Sequence, residues 1–61
     1  MNALELSNFY TLLAVRELTE TDAMNRLQQA NIISDNCTKA EDIASEDVLL
    51  AMEFLRQTNQ P

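Results

Sequence analysis

Glycine, histidine and tryptophan are missing from this 61-residue chain, which holds one proline and one cysteine. Each gap removes a class of chemistry. Without histidine no Ser–His–Asp or Cys–His set exists, and paired carboxylates would need a cleft that shifts their pKa values, for which a domain of this length has little volume. Cys37 is alone, so it closes no internal disulfide, and one thiol among scattered carboxylates offers no zinc set. A calcium loop needs a glycine at its sharp turn. No metal, cofactor or catalytic residue is therefore expected. Basic residues are scarce as well. Arg16, Arg26, Lys39 and Arg56 lie far apart and face ten acids, for a net charge of −6. Nucleic-acid binders gain affinity from clustered Lys and Arg on phosphates, so direct DNA or RNA binding is disfavoured. An anionic membrane surface would repel the chain in the same way. No apolar run reaches the length of a membrane span and no signal peptide is visible. The lone thiol suits a reducing compartment, so the expected location is the cytoplasm.

The size sets a further limit. A chain of 6.9 kDa buries roughly 6,000 Å² on folding. The apolar share of that area is worth about 85 kcal/mol. Ordering the chain costs about 90 kcal/mol. The terms nearly cancel, and small domains in that position turn to disulfides, metals or association. Only association remains open here.

What is present has helical spacing throughout, and the expectation is one all-α domain spanning 1–61. Its start signals are local. Asn2 precedes Glu5, Thr19 precedes Asp22 and Thr38 precedes Glu41 by three residues each. That spacing lets a side-chain oxygen accept from an orphan N–H, with a carboxylate near the positive helix end. Ser45, before Glu46 and Asp47, is a fourth start. The signals predict three helices over about 3–18, 20–30 and 46–57, with a short helical turn at about 39–44. Residues 31–37 read as a loop in which Ser34, Asp35 and Asn36 turn the chain and Ile32 and Ile33 anchor it. Residues 58–61 are expected to fray.

The first and last helices carry apolar residues on two arcs. On the first, Leu6, Phe9, Tyr10 and Leu13 make one stripe, with Ala14 on its flank, and Leu4, Leu12 and Val15 fall elsewhere. On the last, Val48, Leu49, Met52 and Leu55 make a stripe, while Leu50 and Phe54 point to the other side. The middle helix is one-sided, through Ala23, Met24, Leu27 and Ala30. Three helices bury one stripe apiece, so a second set implies partner surface of a size that marks an interaction site. Leu4, Leu12, Val15, Leu50 and Phe54 are accordingly the candidate interface, and a two-fold homodimer is the expected occupant. Periodicity alone does not say which arc is core. The ordinary alternative is an irregular packing that buries most of these residues in one chain.

Other candidates weigh less. Glu41, Asp42, Glu46 and Asp47 fall in one seven-residue window. They read either as an acidic surface for a basic partner, up to mimicry of DNA, or as first-turn residues favoured by helix dipoles. Cys37 reads as a small loop or core residue unless a nearby cation lowers its pKa. Phe9 and Tyr10 read as core, and Phe54 as interface. Residues 18–35 look like the opening of a helix-turn-helix unit. The segment in the place of a reading helix, 38–44, offers Lys39 against Glu41 and Asp42, which is poor chemistry for base edges and phosphates.

Taken whole, the capped stretch 19–35, followed by Asn36, Cys37 and the Thr38–Glu41 pair in a short acidic helical chain, resembles the small helical proteins of accessory regions in lambdoid bacteriophages and prophages. The resemblance implies a regulatory role through protein contacts in a host cytoplasm, and it maps no functional residue. The expected function is thus a small acidic protein–protein interaction module, regulatory or adaptor in type and not an enzyme, that forms a homodimer and binds a further protein. The alternatives are a nucleic-acid-directed role, as DNA mimic or weak helix-turn-helix binder, and a structural subunit of a larger assembly.

Overall fold

The computed structural model of the chain describes residues 1–57. Three α-helices make up the fold: α1 (Ala3–Arg16) and α2 (Glu20–Gln29) are joined by residues 17–19, and α2 and α3 (Ser45–Gln57) by a longer loop holding a 3₁₀ turn at Ala40–Asp42. No strand occurs among the described residues. The body measures 29 × 24 × 17 Å. Its accessible surface of 4051 Å² is close to the roughly 4,000 Å² of an ordinary monomer of this mass. One copy therefore closes a core of its own. The fraying expected at 58–61 lies outside the described residues.

Two helix starts follow the local signals. The N–H of Glu5 donates to Asn2 Oδ1 at 2.8 Å and the N–H of Asn2 to Glu5 Oε1 at 3.0 Å, a complete capping box. At α2, Thr19 Oγ1 accepts from the N–H of Asp22 at 3.1 Å. The third signal does not form. Lys39 occupies the cap of the 3₁₀ turn and no side chain bonds there, so Thr38 caps nothing. The N–H of Ala40 bonds instead across the fold to Glu20 Oε2 at 2.7 Å. A long-range carboxylate has displaced the local hydroxyl. Ser45 opens α3 as expected, but its hydroxyl donates to Glu5 Oε1 at 3.3 Å. That bond places the starts of α1 and α3 side by side. The Met1 amino group ties the same end together by donating to the carbonyls of Ile43 (2.8 Å) and Glu41 (3.1 Å).

Helix ends are made without glycine. α1 stops at Arg16, two residues before the expected end, because Glu17 turns left-handed at φ 58°. The N–H of Glu17 then reaches the Ala14 carbonyl at 3.2 Å, and that of Leu18 the Leu13 carbonyl at 2.9 Å. This is the Schellman closure, accompanied as usual by an apolar residue just past the end. Leu18 fills that place and packs on the core. α2 repeats the device. Asn31 lies at φ 62°, its N–H bonds Gln28 and that of Ile32 bonds Leu27, both at 3.0 Å. Ile32 and the buried Ile33 then hold the loop to the core. Gln28 Nε2 donates to the Cys37 carbonyl at 3.0 Å, which fixes the far side of the loop.

The core is a single cluster. It contains Phe9, Leu12 and Leu13 of α1, Ala23, Met24 and Leu27 of α2, Ile33, Ala40 and Ile43 of the connection, and Val48, Ala51 and Leu55 of α3. Two helices are rotated about their axes relative to the sequence expectation. On α1, Leu12 is core and Tyr10 is surface, at 8% and 41% exposure. On α3, the fully buried Ala51 takes a core place and Leu49 is turned out. Ala30 of the α2 stripe is exposed too. The physical reason is the same on both rotated helices. Either arc satisfies a 3.6-residue period. The choice falls to the packing of α1, α2 and α3 against each other, where a small residue such as Ala51 permits close approach.

Candidate interaction surfaces

Of the five residues expected at an interface, Leu4, Val15 and Leu50 are exposed by 70%, 71% and 54%. Leu12 is withdrawn into the core and is corrected to a core residue. Phe54 is half-buried and packs against the core. Leu49, read from the sequence as core, is 67% exposed and joins the exposed set. Four large aliphatic side chains thus face solvent on two helices that each already bury a stripe. Single exposed apolar residues are normal on any protein. Their grouping is what distinguishes them here. Leu4 and Val15 share the outer face of α1, and Leu49 and Leu50 flank the outer face of α3, as their helical positions require.

Beside Leu50, one turn further along α3, Phe54 walls an open depression of about 340 Å³ whose other lining residues are Arg26, Gln29 and Ala30 from the end of α2. It presents an apolar floor and one guanidinium. Among the described residues its lining carries no carboxylate. Arg26 and Gln29 fall opposite the apolar stripe of α2 in the sequence, and no local pattern links them to Phe54. The depression lies between two helices that are distant in the chain.

The acidic residues gather at one end. Glu41 and Asp42 lie in the 3₁₀ turn and Glu46 and Asp47 in the first turn of α3; the first three are exposed and Asp47 is half-buried. The Met1 ammonium sits among them. Cys37 lies in the same neighbourhood, half-buried, with Sγ 3.8 Å from the Lys39 carbonyl. Its thiol is pushed above the ordinary value of 9.0, first by burial and then by the negative charges of Asp42 and Asp47, with the Met1 ammonium opposing them. A raised pKa means little thiolate at neutral pH, so the site disfavours nucleophilic use of Cys37. Tyr10 is pushed upward likewise, by partial desolvation and then by Glu20.

Residues 38–44 contain only the three-residue 3₁₀ turn, far less than the helix that reads a major groove. Among the described residues no three His, Cys, Asp or Glu side chains converge as metal ligands. No described helix is long and apolar enough to cross a membrane. No protein-family model, curated protein or solved structure matches this chain.

Proposed function

We propose that this chain is a small acidic protein–protein interaction module, regulatory or adaptor in type, that acts by binding rather than by catalysis. In this reading it first binds a second copy of itself through apolar side chains left exposed on its helices and then engages a further protein from the cytoplasm. The observation that carries the proposal is the exposure of Leu4, Val15, Leu49 and Leu50 on a domain whose core is already complete without them. Leaving such side chains in water forgoes roughly 25 cal/mol per Å² that a partner surface would recover. The acidic end, through Glu41, Asp42, Glu46 and Asp47, supplies solubility and a charge preference for the further partner.

Self-association is the direct test. Light scattering and sedimentation on the purified chain are expected to give a dimer at concentrations well above micromolar. A Val15→Glu, Leu50→Asp double variant should give folded monomer by the same measurements, because both side chains stand in water in the single copy. A wild-type chain that stays monomeric into the millimolar range would remove the reading.

A further inference from the structure

We infer that the second copy docks on the outer face of α1, antiparallel and about a two-fold axis, so that Leu4 of each chain meets Val15 of the other and Asn8 meets Thr11. The inference rests on the self-association proposed above and assigns its surface and register.

Charge picks the face. Residues 6–15 are the longest uncharged run in a chain of net charge −6. They supply most of a surface helix whose solvent side would ordinarily be dotted with Lys and Glu. Two copies that repel overall approach at least cost where neither carries charge. The outer face of α3, by contrast, bears Glu46 and Glu53 beside its exposed leucines. A basic partner would gain nothing from the α1 face, whereas a second copy loses nothing there.

Spacing picks the register. Leu4, Asn8, Thr11 and Val15 are all exposed and recur at intervals of four, three and four, the spacing of a helix–helix seam. Their order is apolar, polar, polar, apolar, which reads alike in both directions. A two-fold interface demands such self-complementarity. Antiparallel pairing stacks Leu on Val at both ends and sets the Asn8 carboxamide against Thr11. The Thr11 hydroxyl already donates to the Ser7 carbonyl at 2.9 Å, so its oxygen is left to accept from Asn8 of the other chain. A polar pair inside an otherwise apolar seam fixes register. Ser7 and Ala14 on the flank are small enough for close approach.

A parallel pair would match the same residue types, and electrostatics decides against it. The starts of α1 and α3 adjoin through the Glu5–Ser45 and Met1–Ile43 bonds. Glu41, Asp42, Glu46 and Asp47 therefore sit at the N-terminal end of α1. Parallel docking sets two such ends side by side, while antiparallel docking holds them apart and opposes the helix dipoles.

The test uses the full chain. By sedimentation equilibrium, wild type is expected to dimerise. Val15→Glu should weaken the dimer at least tenfold with an unchanged helical circular dichroism spectrum, and Leu50→Glu should leave it in place. In a Cys37→Ser background, oxidising a mixture of Leu4→Cys and Val15→Cys chains should yield the mixed disulfide dimer, with little product from either chain alone. Like-with-like disulfides in place of the mixed one would overturn the antiparallel register. A wild-type dimer that survives Val15→Glu and is lost in Leu50→Glu would overturn the α1 assignment and leave self-association standing. A wild-type monomer at every concentration would sink both.

Discussion

Glu17 and Asn31 carry the backbone strain of this fold, since both adopt positive φ in a chain without glycine. A left-handed conformation costs an ordinary L-residue about 1–2 kcal/mol, and Asn less than most. Glu17→Gly is therefore expected to raise stability by about 1 kcal/mol, and Asn31→Gly by less. Urea denaturation of the two variants measures the difference, and an equal gain at both sites would contradict the strain argument. Cys37 gives a prediction in pH. Its thiol is raised above 9.0 in the fold, so between the unfolded and folded pKa values the folded state holds the extra proton. Stability is then intact below about pH 9 and falls as pH climbs through the raised value. Comparing urea midpoints at neutral and alkaline pH tests this, and Cys37→Ser should flatten the alkaline loss. Tyr10 adds a loss of the same sign at higher pH. None of these residue-scale properties was legible beforehand, because a left-handed cap and an acidic surrounding depend on where the chain turns.

The helix starts differ in origin, although the sequence presents three of them in the same form. Asn2 and Thr19 make their cap bonds within one turn, so nothing distant competes. Thr38 lost its place to Glu20, which reaches the Ala40 N–H from another helix. Asn2→Ala should cost about 1 kcal/mol, whereas Thr38→Ala should be neutral within a few tenths. Thermal melts of the two variants check the contrast, and an equal loss would mean that Thr38 caps after all. The element types, their order and their starts were readable from capping pairs and helical spacing. The end of α1 was not, because helix stops are usually announced by glycine and here a left-handed glutamate and the Leu18 contact do the work. The face of each helix was half readable. α2, with one apolar arc, was assigned correctly but for Ala30, while α1 and α3, with two arcs each, were rotated.

At the scale of the whole molecule, the fold separates an uncharged outer α1 face from an acidic end built around Met1, Glu41, Asp42, Glu46 and Asp47. Raising salt from about 0.1 M to about 1 M shortens the screening length from about 10 Å to about 3 Å. Self-association of copies with charge −6 is therefore expected to strengthen with salt in sedimentation equilibrium. Weakening with salt would point to opposite charges meeting at the contact. The core has little reserve. Leu27→Ala, at a fully buried position, should cost about 2–5 kcal/mol, against a total stability of that order for so small a domain. Circular dichroism of that variant should show largely unfolded chain at room temperature, and a cooperative melt near the wild-type temperature would mean that the core is less finely balanced. Of the candidate interface, Leu4, Val15 and Leu50 were legible as a surplus of apolar side chain, and Leu12 and Leu49 exchanged roles.

Local chemistry in the chain determined that it is helical, that α1 and α2 begin at Asn2 and Thr19, and that it holds more apolar side chain than one stripe per helix requires. Those properties are set by residues three or four apart in the sequence. Tertiary packing alone decided that Leu12 goes in and Leu49 comes out, that Glu20 replaces Thr38, and that Arg26, Gln29 and Phe54 line one depression. A helix with two apolar arcs has two nearly equal ways to face a core, and only the fit of neighbouring helices breaks the tie.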